Sequence, residues 1–172
     1  RELIEENNIS IDKVESLVVD VHPDLLDIVR FHKPTKGFRG KFSIDYVLAG
    51  MLLDHKVDLN SFSDEYCNAP KMREALGKVR VNAHEEWAND TASRRKSPVT
   101  IQMKDGRSYT KQVDHVRGSP GNPLTRDELV EKYRSCASRV LNKKKLAESI
   151  EAIETLEAAP SLGCLTDTLR VD

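Results

Sequence analysis

Lys41, Ser43 and Tyr46 are the residues whose types and spacing first point to chemistry in this chain. Ser43 is a good helix N-cap, and Asp45 falls in the first turn, where the helix dipole favours a carboxylate. Ile44, Val47, Leu48, Met51 and Leu52 follow at the i, i+3, i+4, i+7 and i+8 spacing of an inward-facing stripe. Free backbone N–H groups at such a helix start favour anions, and Lys41, just before the cap, and Tyr46, one turn in, both lie within reach of it. One reading is a carboxylate pocket. The other makes Tyr46 a core-edge aromatic with a satisfied hydroxyl and Lys41 a solvated charge.

A second candidate is Arg117-Gly118-Ser119-Pro120-Gly121. It lacks the lysine and the strand-loop-helix order of a nucleotide phosphate loop. It reads either as an irregular turn before a capped helix or as a backbone nest in which Arg117 and the Ser119 hydroxyl hold an anionic ligand. Asp114 and His115 do not make an oriented acid-base pair, because neighbours on a strand point to opposite faces. His22 and His32 read as surface or capping histidines, since no second ligand falls at the i+3 or i+4 spacing of a helical metal pair. Cys67, Cys136 and Cys164 are odd in number and form no Cys-x-x-Cys pair, so free thiols are expected rather than a disulfide framework or a zinc site.

The elements that must position these groups alternate between strand and helix. Residues 14–22 are β-branched and partly alternating, as in a strand that His22-Pro23 ends, and residues 78–84 alternate as a second. The apolar piece at residues 25–29 is too short to assign. Residues 33–40 form a basic loop containing Gly and Pro that leads into the Ser43-capped helix. Two short helices are expected over residues 60–66 and 69–77, the second with Pro70 in its first turn and Gly77 closing it. Residues 85–97 are polar and loop-like, with Trp87 covering a core edge.

Residues 98–113 read as a hairpin around Asp105-Gly106. A three-residue loop with Gly106 in the left-handed region would put Tyr109 and Val113 on the face of Val99, Ile101 and Met103, and is preferred over a two-residue turn because a one-residue slip exchanges the faces. Thr125-Arg126-Asp127-Glu128 is a capping box, opening a helix with Leu129, Val130, Tyr133, Cys136, Ala137 and Val140 on one stripe. A last helix is expected over residues 143–158. Beyond it Leu162, Leu165 and Leu169 are apolar enough to need a partner surface. Interspersed strands and helices with an antiparallel hairpin make the class α+β, with helices packed on a hairpin-containing sheet.

Composition narrows the function. The 172 residues carry 27 basic and 28 acidic side chains, a net charge of -1, so no global field draws the chain to nucleic acid or to an anionic membrane. No apolar run has the length of a membrane span, and no secretion signal is evident, so the expected location is cytoplasmic. Residues 1–8 read as the last turns of a helix that began earlier, so a fragment is expected, although a processed or tagged chain would look the same.

In order, Gly40-Lys41-Phe42-Ser43-Ile44-Asp45-Tyr46 with its apolar helix, the Lys104-Asp105-Gly106-Arg107 hairpin, and residues 114–125 followed by Glu128-Leu129-Val130-Glu131-Lys132-Tyr133 resemble the C-terminal half of the MmgE/PrpD family. The resemblance covers nearly the whole chain. It implies an enzyme with a large all-helical domain and a smaller α+β lid, an active site in the cleft between them, no metal or organic cofactor, and often a homodimer. Members dehydrate, decarboxylate or epimerise citrate-like di- and tricarboxylic acids.

By that resemblance residues 1–8 end a helix of a preceding domain, residues 9–140 are the lid, and residues 141–172 return to a missing N-terminal helical domain, without which the chain is inactive. Tyr46 matches a cleft tyrosine whose hydroxyl would donate to, or relay a proton from, a substrate held by cationic side chains. Lys41 matches a basic residue suited to a substrate carboxylate. Ser43, Arg117 and Ser119 join it as expected substrate-binding residues. Asp45 departs from the family, several members of which have Gln there. A non-catalytic binding module on the same fold is the alternative, since no self-sufficient acid-base constellation is present.

Overall fold

The computed structural model describes residues 1–170. It divides into two compact units, Arg1–His115 and Val116–Asp172. In the first, helix α1 (Glu2–Asn7) precedes strand β1 (Val14–Val21), and the chain then runs through α2 (Asp24–Ile28), α3 (Gly37–Gly40), α4 (Ile44–Asp54), α5 (Asp64–Asn68) and α6 (Pro70–Lys78) to β2 (Val79–Ala83). The short apolar piece after His22-Pro23 is thus a helical turn. The hairpin is β3 (Val99–Met103) and β4 (Ser108–Lys111).

The sheet has four strands in the order β2-β1-β3-β4. It is mixed: β1 pairs β2 in parallel and β3 antiparallel. The parallel pair follows from the long helical crossover between β1 and β2, since parallel neighbours cannot be joined by a tight turn. Leu17 lies opposite Val79 on one side and Ile101 on the other, and Ile101 lies opposite Tyr109, so one apolar row crosses the whole sheet. The opposite face is polar, with Thr100 and Thr110 hydroxyls 2.9 Å apart.

The hairpin has the expected three-residue loop. Gly106 sits at φ 89, the Met103 N–H donates to the Arg107 carbonyl at 2.8 Å, and the Gly106 N–H to the Met103 carbonyl at 3.0 Å. Ser43 caps α4, its hydroxyl accepting the Tyr46 N–H at 3.3 Å. The buried face of that helix, however, is Asp45, Tyr46, Ala49, Gly50 and Leu52. Ile44, Val47, Leu48 and Met51, the inward stripe by periodicity, are only half-buried, because α6 packs on the other side of α4. Gly77 does not close α6, which continues through it to Lys78. Residues 85–97 hold two single turns, and Trp87 stacks on His84 with ring centroids 4.4 Å apart.

The second unit contains α7 (Arg126–Ala137), α8 (Lys143–Glu154) and α9 (Gly163–Thr168). Thr125 and Glu128 form the capping box of α7 as expected. Both long helices stop short of their expected ends, α7 before Val140 and α8 before a separate turn at Leu156–Ala158. Tyr133 of α7 donates to Ser149 of α8 at 2.8 Å. Among the described residues of this unit only Leu141 and Ser149 are buried, while Leu129, Val140, Ile153 and Leu162 are exposed. Such a unit holds little core of its own. No helix among the described residues is long and apolar enough to cross a membrane.

Candidate functional site

The entrance of α4 is built by two backbone stretches running side by side. Arg30 bridges Ser43, the Phe31 N–H donates to the Phe42 carbonyl at 3.1 Å, and the Lys33 N–H donates to an Asp45 carboxylate oxygen at 2.9 Å. The other Asp45 oxygen accepts the Tyr46 N–H at 2.8 Å and the Ser43 hydroxyl. Asp45 is buried, and the His32 Nδ1 lies 3.8 Å from it. The helix start therefore already holds an anion from its own chain. What it offers a ligand is side-chain charge rather than a row of free N–H groups.

Tyr46 lies inside this frame, 1% exposed. Its hydroxyl donates to the Ser61 carbonyl, and its ring packs on Phe62 with centroids 6.0 Å apart. Burial, together with the neighbouring Cys67, pushes its ionisation well above the ordinary phenol range. These surroundings match the core-edge reading of Tyr46. Cys67 is itself buried and donates to the Pro34 carbonyl at 3.1 Å, where Arg73 also donates at 2.8 Å, so the basic loop is tied down from below.

Lys41 is exposed, its Nζ 5.4 Å from the Phe38 centroid and 5.8 Å from that of Phe62. Phe62 thus touches both Lys41 and Tyr46. Lys41 and the buried Ser43 also edge an apolar cavity of about 310 Å3 whose walls include Val19, Val21, Leu25, Ile44 and Val47. That cavity is what the half-buried stripe of α4 faces.

Arg117 and Ser119 belong to the second unit. The Arg117 guanidinium donates to Glu128 and, at 2.6 Å, to Asn122. Hydrogen bonds from the Thr125 N–H and from Arg117 hold the Glu128 carboxyl down at about 2. The Gly118 N–H donates to the Asn122 carbonyl and the Ser119 N–H to that of Val116, so the donors a nest would offer close the turn itself. The Ser119 hydroxyl is buried without a partner. Lys41, the C-cap of α3, thus lies just ahead of Ser43 and Tyr46 at the start of α4, whereas Arg117 and Ser119 share a turn whose backbone donors are satisfied by its own chain while the Ser119 hydroxyl is not.

Other titratable groups have local explanations. His22 is buried; its Nδ1 accepts the Asp24 N–H at 3.1 Å, while its Nε2 is buried without a hydrogen-bond partner among the described residues. Among the described residues no group of three His, Cys, Asp or Glu side chains is disposed to hold a metal ion. Cys67, Cys136 and Cys164 are free thiols.

Sequence reading overlooked Arg30 and Arg39. Their guanidinium carbons lie 5.5 and 5.3 Å from the centroid of the Phe31 ring. The signal was the basic, aromatic composition of residues 30–42, but only the Arg30–Ser43 bridge brings the pair beside the α4 entrance.

The first unit is thus a mixed sheet with crossover helices, and the chain's lineage is plain from sequence. Residues 1–158 match the MmgE/PrpD C-terminal domain, and the chain belongs to that family. It is 28% identical over 159 residues to the cis-aconitate decarboxylase of Mus musculus, covering 92% of this chain and 32% of that protein. It is 29% identical over 140 residues to the cis-aconitate decarboxylase of Homo sapiens, covering 80% of this chain and 28% of that protein. The Aspergillus terreus cis-aconitate decarboxylase is 26% identical over 140 residues. The chain spans under a third of the length of these relatives.

Proposed function

We propose that this chain is the C-terminal lid portion of a cofactor-independent lyase or isomerase acting on a citrate-like di- or tricarboxylic acid, with the α4 entrance as one wall of the cleft. The other wall is an N-terminal helical domain, residues 9–140 are the lid, and residues 141–172 return to that domain. The whole protein is a cytoplasmic homodimer, and this chain alone does not turn over substrate.

The observation that carries the reading is Lys41, an exposed cation just before the α4 cap whose Nζ lies 5.4 and 5.8 Å from two aromatic ring centroids and which has no ion-pair partner among the described residues. Membership of a family whose matched relatives are named as decarboxylases supports it. Removing a proton, water or carbon dioxide next to a carboxylate builds negative charge, and a cation fixed in a site that sheds water stabilises that charge. Ser43 and Asp45 hold the cap, and Tyr46 acts as a positioning residue through Phe62. Arg117 keeps its ion pair with Glu128 and takes no part in this scheme.

The full-length protein tests it. Turnover of cis-aconitate, 2-methylcitrate or a related acid should fall by about 10- to 1000-fold in kcat/KM for Lys41→Met. Unchanged turnover in that variant, or none in the parent with any such acid, would sink the reading. A non-catalytic binding module is the second reading, favoured by one observation: the Tyr46 hydroxyl is buried and committed to Ser61.

A further inference from the structure

The connection from β2 to β3 has to cross the carboxyl end of β1, because β1 lies between the two strands that it joins. Residues 84–97 make that crossing as a strap. Ser93 is its only buried residue among those described, so packing alone holds little of it in place. Polar contacts to β1 and α2 hold it instead. The His84 N–H donates to the Val21 carbonyl at 3.1 Å where the strap begins, Arg94 pairs with Asp24 at 2.8 Å in its second half, and just past its end the Pro98 carbonyl accepts the Asp20 N–H at 3.1 Å.

One further contact, the His84 ring, can be switched. Its Nε2 lies 2.9 Å from Asp20 of β1 and its Nδ1 2.6 Å from Glu86 of the strap, and Trp87 stacks on its face. Asp20 and Glu86 are the charged groups that act on the ring, while Asn82 of β2 is neutral and donates to the same Asp20 oxygen at 3.2 Å. An imidazolium donates to both carboxylates and so ties the strap to the strand. A neutral imidazole has one N–H, which leaves one carboxylate facing a ring lone pair. Asp20 keeps its bond from Asn82, so the exposed Glu86 is the one released.

We propose that residues 84–97 are a pH-operated strap, latched across the end of β1 by protonated His84 and loosened when the ring is neutral. The latch is closed above the lowered value of Glu86 and below the raised value of His84, and it is lost as pH rises through the latter. Ser97, the last residue of the strap, is part of the wall of the cavity that Lys41 edges, so loosening bears on that cavity too.

Limited trypsin digestion of the 172-residue chain tests it, because Arg94 and Lys96 place cleavage sites within the strap. Cleavage there is followed at about pH 6 and about pH 8.5 and divided, at each pH, by cleavage of a synthetic peptide of residues 90–100, which removes the pH dependence of the protease itself. The normalised rate in the parent should rise about tenfold at the higher pH, since cleavage follows the population of the open form. His84→Gln, which cannot become charged, should be cut fast at both pH values. Glu86→Gln should be cut slowly at both, because a neutral carboxamide donates to the ring lone pair and also accepts from the charged ring. A strap equally protected at both pH values in the parent, or a step that survives in His84→Gln, would overturn the proposal. So would a step in Glu86→Gln as large as the parent's, or cleavage that rises equally at sites throughout the sheet, which marks unfolding of the whole unit.

Discussion

Gly40 and Tyr46 occupy adjoining space so closely that a Cβ at position 40 would stand 2.6 Å from both Cδ1 and Cε1 of the tyrosine ring. The missing side chain is what lets Tyr46 lie flat under the basic loop with its hydroxyl on the Ser61 carbonyl. Gly40→Ala must tilt the ring, and overpacking of this kind costs about 1–3 kcal/mol. Urea unfolding should show that loss, and Gly40→Ala/Tyr46→Leu should recover part of it because the smaller side chain makes room. A single variant as stable as the parent would mean that the ring does not pack on Gly40.

His84 should titrate above an ordinary histidine. Its Nε2 faces Asp20 at 2.9 Å and its Nδ1 faces Glu86 at 2.6 Å, so only the doubly protonated ring donates to both. The hydrogen bond to Asp20, then that to Glu86, raises its pKa above the usual 6.5. The stabilisation is complete below the unfolded value and is lost as pH rises through the raised folded value. Glu86, held below its usual 4.5 by His84, behaves oppositely and loses its contribution as pH falls. Trp87, the one tryptophan, stacks on this ring, so its fluorescence should rise as the imidazolium deprotonates, and the step should vanish in His84→Gln. A midpoint at or below 6.5 would contradict this.

Gly106 carries the hairpin register. At φ 89 it occupies a conformation that an alanine adopts only with strain, so Gly106→Ala should cost about 1 kcal/mol, whereas Gly106→Asn should cost less. Nothing crowds the missing Cβ there, so the cost is backbone strain alone. Thermal unfolding of the three proteins separates the cases, and an alanine variant equal to the parent would argue for a different loop.

The second unit should associate through its apolar face. Leu129 is 52% exposed and Ile153 45%, and together with Val130, Tyr133 and Ile150 they line a cavity of about 240 Å3. Leu129→Lys/Ile153→Lys should reduce self-association in analytical ultracentrifugation while changing stability by no more than about 0.5 kcal/mol, because these side chains bury little in the chain itself. Strong destabilisation would mean that they form a core instead. Tyr133→Phe tests the interior of the same unit: losing its bond to the buried Ser149 hydroxyl should cost about 1 kcal/mol.

Short-range signals were legible wherever a handful of consecutive residues decides the outcome. The Ser43 cap, the Thr125/Glu128 box, Pro70 in the first turn of α6 and the three-residue hairpin loop all follow from steric and hydrogen-bonding preferences of adjacent residues. The order of motifs along the chain was enough to indicate the family, because it needs no knowledge of what packs on what.

The tertiary structure decided everything that depends on partners distant in sequence. The parallel β1–β2 pairing joins residues about sixty positions apart, and no local pattern in either strand specifies that neighbour. The buried face of α4 was misjudged because periodicity identifies an apolar stripe but not the element that will cover it. Here α6 covers the adjacent face, and the most apolar stripe looks into a cavity. Tyr46 could be read from its type as a donor, but only the Ser61 carbonyl and Gly40 beneath it show where that hydroxyl goes. Arg30 and Arg39 were visible only as positive charge. Their shared ring and the bridge to Ser43 exist because a loop folds back on the helix start, and such contacts are set by long-range packing that residue types alone do not encode.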